Sequence, residues 1–116
     1  MPVIRFSKII AAFCLSFAAA YSPVSLAGSA SGVIINLTFM SDGSVLFSIS
    51  GTRNDTPSCA SATNRFAISS TTALGKTQLA GLLTAYTTGT PIGILGGGSC
   101  YDYYDSESII YFYTLD

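Results

Sequence analysis

Tyrosines and carboxylates are concentrated in the last 16 of the 116 residues, where five of the seven tyrosines lie. Flat aromatic faces can stack on the CH groups of sugars, and carboxylates accept hydrogen bonds from hydroxyls, a combination that suits carbohydrate or protein recognition. We therefore predict a ligand-binding loop over residues 101–107. Its candidate residues are Tyr101, Asp102, Tyr103, Tyr104, Asp105 and Glu107.

The same segment has a second interpretation, a hairpin loop with solvated acids and tyrosines that pack as strand residues. For Tyr111 and Tyr113, further along the chain, we expect core packing or a subunit interface rather than ligand contact. Three carboxylates within six residues could also suggest Ca²⁺, but no glycine lies at the turn position that an EF-hand loop requires. We predict no metal site and no cofactor.

The sequence contains few of the residue types that enzymes use for catalysis. The chain contains no histidine, which removes the commonest general base near neutral pH. A serine nucleophile would need Lys76, which is expected to be solvated on a helix, and the acids of the candidate loop cannot flank a cleft. We predict that the protein is not an enzyme. Five basic and six acidic residues in no block of like charge also exclude nucleic acid as a partner.

The N-terminus is typical of a bacterial export signal. Arg5 and Lys8 precede the apolar run 9–20, and Ser25-Leu26-Ala27 places small residues three and one before a cleavage point. The run is shorter than the roughly 20 residues of a membrane-spanning helix. We therefore predict a signal peptide over residues 1–27, a single domain over 28–116 without a membrane span, and a periplasmic or secreted location.

Removal of that signal discards Cys14 and leaves Cys59 and Cys100 in an oxidising compartment. We predict a disulfide between them. The two cysteines are 41 positions apart, for which the chain-entropy model gives about 4 kcal/mol of stabilisation.

Hydrophobic periodicity predicts five strands and one helix. Alternating apolar residues mark the first two strands, and Asp42-Gly43 between them is typical of a hairpin turn. Leu79, Leu82, Leu83 and Tyr86 predict one apolar helix face, while Gly89 and Pro91 predict its end. The strands are predicted at 33–39, 45–49, 65–69, 92–95 and 108–115, and the helix at 72–88.

The order β-β-β-α-β-β in fewer than 90 residues is that of the OB-fold, in which five strands form a small barrel and the helix closes one end. We predict a mainly β fold with one helix and this OB-like architecture. An open antiparallel α+β sheet with one packed helix uses the same elements and remains the alternative.

Several motifs resemble small exported bacterial proteins that are similar to the subtilase cytotoxin B subunit. The resemblance spans about 32–100 and implies an OB-fold, assembly as a pentamer and binding of cell-surface glycans. Its residues belong to the core and turns, so no glycan contact is carried over to a numbered position. The motifs are Pro57-Ser58-Cys59-Ala60, Phe66-Ala67-Ile68-Ser69, Gly75-Lys76, Leu79 to Tyr86, and Gly89-Thr90-Pro91-Ile92.

These observations lead to two functional hypotheses. The first is an exported, non-catalytic binding module that recognises a glycan or another surface molecule through residues 101–107 and forms a homo-oligomer. The second is a periplasmic structural or protein-interaction domain without a small ligand. In this hypothesis the tyrosines and the last strand, which carries apolar residues on both faces, form a protein interface.

Overall fold

A computed structural model describes residues 26–115, which form a mainly β domain with one helix, as the periodicity predicts. The predicted signal peptide lies outside the described residues except for Leu26 and Ala27. The elements are β1 (Ser29–Gly32), β2 (Ile34–Phe39), β3 (Ser44–Ile49), β4 (Arg53–Asn54), β5 (Arg65–Ser69), α1 (Ala73–Thr88), β6 (Ile92–Gly96) and β7 (Glu107–Thr114).

The strands form one curled sheet in the order β2-β3-β5-β7-β6-β1-β4, in which only β5 and β7 pair in parallel. The strands β1 and β2 are consecutive in the chain, yet β1 pairs with β6 and β2 pairs with β3. The chain bends between them at Gly32, whose φ of 148° few other residues adopt. The bend brings β1 close to the chain after β3, and a Cβ on Gly51 would lie 1.8 Å from the Ser31 carbonyl oxygen.

The prediction of a five-stranded barrel is therefore wrong in its strand count. No strand was predicted before residue 33, but that segment forms β1, and the two-residue β4 pairs with it at one edge of the sheet. The parallel pair of β5 and β7 also departs from the wholly antiparallel alternative. In β2 the register shifts between Ile35 and Thr38, and Asn36 there has a φ of 53°.

The core lies between the concave face of the sheet and α1. Its largest enclosed side chains include Phe47, Phe66, Ile68 and Leu82. Thr72 caps the first turn of α1 by accepting a hydrogen bond from the Gly75 amide at 3.0 Å. Gly89 ends the helix in the left-handed conformation, with a φ of 67°, and this confirms the predicted end at residue 88.

The helix buries a narrower stripe than predicted. Leu82 is enclosed and Leu79 packs partly against the core, whereas Leu83 and Tyr86 are exposed. The single helix that residues 26–115 contain is not long and apolar enough to cross a membrane.

The predicted disulfide is confirmed. Cys59 and Cys100 are bonded, with their Cα atoms 6.1 Å apart. The bond joins the segment between β4 and β5 to the segment between β6 and β7, so it fixes one end of the candidate binding loop.

Candidate functional site

The segment 101–106, called the tyrosine loop below, leads directly into β7 and is held by hydrogen bonds to its own backbone. The Ser108 hydroxyl oxygen accepts from the amides of Tyr101 and Asp102, both at 3.0 Å. Within the loop, the Ser106 amide donates to the Tyr103 carbonyl at 3.2 Å. The loop therefore has a defined conformation although it lacks regular strand structure.

Two further contacts attach the tyrosine loop to distant parts of the chain. The Ser44 hydroxyl donates to the Asp102 carbonyl at 2.7 Å, and the Ala62 amide donates to the Asp105 carbonyl at 3.0 Å. Together with the Cys59–Cys100 bond, these contacts fix the loop to β3 and to the segment before β5.

The rings of the tyrosine loop differ in exposure. The exposed fractions of Tyr101 and Tyr104 are 88% and 77%, whereas Tyr103 is half-buried. The Tyr103 and Tyr104 rings lie 5.0 Å apart between centroids, tilted by 41°. The Arg65 guanidinium lies 5.7 Å from the centre of the Tyr103 ring and supports it from β5. The loop thus exposes the side chains of Tyr101 and Tyr104, while Arg65 supports the half-buried Tyr103.

Asp105 is engaged by β5 and by its neighbour in the chain. Its carboxylate pairs with the Arg65 guanidinium at 2.6 Å and accepts from the Ser106 hydroxyl at 3.0 Å. Burial acts to raise the pKa of Asp105, but the hydrogen bonds from Arg65 and Ser106 and the charge of Arg65 outweigh it and hold that pKa below its ordinary value. Asp105 therefore supports the loop, and Arg65 balances the charge of its carboxylate.

Glu107 does not belong to the exposed set, which corrects its place among the predicted ligand-binding residues. Its side chain is fully enclosed and pairs with the Arg53 guanidinium. The other carboxylate oxygen accepts from the amides of Gly28 and Gly98, each at 2.9 Å. A carboxylate with all of these partners inside the protein has no path to a ligand at the surface.

Arg53 is held as firmly as its partner. Its guanidinium lies 4.2 Å from the centre of the Phe66 ring and donates to the carbonyl oxygens of Thr63 at 2.7 Å and Arg65 at 3.3 Å. Burial lowers the pKa of Arg53, and the charge and hydrogen bond of Glu107 oppose that shift. Arginine stays protonated in proteins, so Arg53 supplies a permanent charge for Glu107.

Tyr111 and Tyr113 are not core residues, which corrects one of the two roles expected for them. Their exposed fractions are 50% and 53%, and their ring centroids lie 6.2 Å apart on the outer face of β7. A Cβ on Gly93 would lie 2.4 Å from Tyr113 Cζ, so the ring covers the backbone of β6 at that glycine.

A polar groove of about 450 Å³ lies beside the tyrosine loop and was not predicted. Arg65 lines the groove and also pairs with Asp105, so it connects the two surfaces. The residues that line the groove are far apart in the sequence. The one local signal for it was Asn36, a polar residue inside an alternating strand, which marks the bulge in β2. The hydroxyl and amide side chains along the groove belong to Asn36, Thr38, Ser48, Ser61, Thr63 and Asn64.

The acids of this region are not arranged as a metal site. Among the residues that the structure describes, no three His, Cys, Asp or Glu side chains are grouped so that they could hold an ion. The carboxylates of Asp105 and Glu107 each face an arginine instead.

Comparison of the chain with protein families, curated proteins and solved structures found no match. The chemistry of the site therefore rests on its geometry. That geometry comprises two exposed tyrosine rings on a fixed loop, next to a groove of hydroxyl and amide groups with a charge-balanced arginine at its edge.

Replacement of Asp105 by Asn tests whether this carboxylate supports the loop. A depressed pKa in the folded state contributes stability above the unfolded value of about 3.9, and that contribution is lost as the pH falls through the folded pKa. We expect Asp105→Asn to lower the denaturation midpoint at pH 7 and to have a smaller effect at pH 3. Urea unfolding at the two pH values measures the difference.

The matched control is Arg65→Gln, which removes the partner and should reproduce the same dependence on pH. An equal loss of stability at pH 7 and pH 3 in Asp105→Asn would show that the Asp105 charge does not support the fold.

Proposed function

We propose that this chain is an exported, non-catalytic binding module that recognises a cell-surface glycan through the tyrosine loop and the adjoining polar groove. The observation that carries the proposal is the exposure of Tyr101 and Tyr104 on a loop that hydrogen bonds and a disulfide hold in place. Contiguous exposed apolar patches on folded proteins mark interaction sites more often than scattered exposed side chains do.

The rigidity of the loop favours binding because little conformational entropy remains to be lost when a ligand arrives. Tyrosine adds a flat apolar face and a hydroxyl at low entropic cost. In the neighbouring groove, hydroxyl and amide side chains offer both donors and acceptors. Since Asp105 balances the charge of Arg65, the surface suits a neutral polyhydroxylated ligand better than an anion.

Export and an OB-like barrel are parts of the same proposal. The Cys59–Cys100 bond is the kind of bond that persists in an oxidising compartment. If β1 and β2 are counted as two halves of one bent strand, that strand begins the sheet and also lies near its other edge, where the two-residue β4 follows it. A strand that returns in this way is how a small barrel closes. The resemblance to subtilase cytotoxin B subunits points to the same architecture and to a homo-oligomer.

The Tyr101→Ala/Tyr104→Ala double variant tests the glycan proposal. We expect retention on a glycan array to fall at least tenfold, about 1.4 kcal/mol of binding free energy. The thermal unfolding curve should be unchanged, because both rings are exposed. The matched control is Tyr111→Ala/Tyr113→Ala, which removes two exposed rings outside the loop and should leave retention intact. Equal retention by both double variants would refute the role of the loop.

A protein-interaction domain is the second candidate, and one observation favours it. An apolar groove of about 240 Å³ lies between α1 and β7, and Leu74 and Ile110 are exposed along it. Thr77, Gln78, Tyr111 and Phe112 complete its lining.

On this second hypothesis, Ile110→Ser should lower the mass of the assembled protein measured by light scattering, because it places a polar side chain on the apolar groove. An unchanged mass in the variant, or a monomer in both proteins, would mean that this groove does not hold copies of the chain together.

A further inference from the structure

The boundary between exposed and enclosed chain falls at the predicted cleavage point. Leu26 and Ala27 are exposed, whereas Gly28 is buried. On its N-terminal side, the nitrogen of Gly28 donates to Glu107 Oε2 at 2.9 Å, and on its C-terminal side its carbonyl accepts from the Gly96 amide at 2.7 Å. Gly28 is thus fixed at both of its peptide groups, and the chain leaves the protein immediately before it.

Only glycine fits at this position. A Cβ on Gly28 would lie 2.5 Å from Glu107 Oε1, 2.7 Å from the Asp55 carbonyl oxygen and 3.1 Å from Arg53 Nε. These separations are too short for a side chain, so the backbone nitrogen alone approaches the carboxylate. The Asp55 carbonyl oxygen accepts from Arg53 Nε at 3.3 Å.

We propose that hydrolysis of the Ala27–Gly28 peptide bond creates an α-ammonium group that binds Glu107, so that removal of the signal peptide completes a buried ion cluster. The proposal rests on the proposed export. The peptide C–N bond breaks under a leader peptidase, water supplies the hydroxyl that makes the Ala27 carboxylate, and the Gly28 amine takes up a proton. A neutral amide with one N–H becomes a cation with three, at an acceptor that is already in place.

The ammonium group needs no new acceptor, because the partners of Glu107 divide between its two oxygens and the Gly28 nitrogen already lies at one of them. Arg53 engages Oε1, while Gly28 and Gly98 donate to Oε2. Hydrogen bonds between ionised groups are stronger than those between neutral groups, and more so away from water.

Arg53 is the other charged group that faces Gly28, and its repulsion is moderated. Its guanidinium also donates to the carbonyls of Thr63 and Arg65 and packs on the Phe66 ring, so its charge is shared among several acceptors. Glu107 then lies between two cations, in direct contact with both.

The arrangement distinguishes cleavage at this bond from cleavage one residue away. An additional residue before Gly28 would leave a neutral amide at Glu107 and move the ammonium into solvent beside Ala27. The folded domain should therefore be most stable when processing ends at Gly28, and less stable while the signal peptide is attached.

The experiment uses the full chain, exported by a bacterial host and purified after processing, and a variant with a serine inserted between Ala27 and Gly28. Intact mass establishes the first residue of each protein. We expect the unfolding equilibrium constant to be about tenfold smaller for the protein that begins at Gly28, about 1.4 kcal/mol. We also expect acetic anhydride to acetylate its α-amine more slowly than that of the insertion variant. Lys76, which is exposed and is the one lysine after the leader, serves as the internal reference.

Glu107→Gln is the second variant, because it keeps the shape and removes the charge. Across a pH series, the α-amine of the native protein should become reactive about one pH unit higher than that of Glu107→Gln, a tenfold change in proton affinity. If Glu107→Gln does not fold, the insertion variant still decides the question.

The proposal is overturned if the processed chain begins elsewhere than Gly28, or if its α-amine reacts as fast as that of the insertion variant. It is also overturned if the two proteins unfold alike. Glycan retention is read separately on the tyrosine variants, so a failure of the loop to bind sugar leaves this result unaffected, and the reverse also holds.

Discussion

The buried carboxylate of Glu107 is the interaction on which the arrangement of this domain depends. It joins four parts of the chain, namely the residue before β1, strand β4 through Arg53, the segment after β6 through Gly98, and β7 itself. Removing a charge from water costs several kcal/mol unless its hydrogen bonds are replaced inside the protein. Here both oxygens are satisfied, so these segments are held together in any structure that buries Glu107.

The tyrosine loop depends on that anchor because it ends where Glu107 begins β7. Ser106 and Ser108, on either side of Glu107, are both buried, and each hydrogen-bonds residues of the loop. On β5, Arg65 holds Asp105 and supports Tyr103. A partly buried polar network thus positions Tyr101 and Tyr104 at the surface, and this is the physical basis of the binding role proposed for them.

Local signals in the sequence predict much of the fold. The helix ends at residue 88 because Gly89 can adopt a positive φ, and Pro91 cannot continue a helix. The positions of β3 and β5 and the pairing of the two cysteines were likewise predicted correctly, although β3 is buried at every residue and not only on alternate ones. In contrast, β1 consists of small residues without alternation and is recognisable only from its pairing with β6 and β4.

The candidate site was less predictable, because its decisive contacts join residues that are distant in the chain. Glu107 was grouped with its neighbours as a surface acid, whereas its partner Arg53 lies 54 residues away. The groove beside the tyrosine loop likewise combines residues of β2, β3 and the segment before β5. A double-mutant cycle of Arg53→Met and Glu107→Gln, measured by urea unfolding, tests the central role of this pair most directly. We expect each single variant to lose about 3–5 kcal/mol and the double variant to lose less than their sum by about 2 kcal/mol or more. Additive losses would contradict the account, because Arg53 and Glu107 would then stabilise the domain independently.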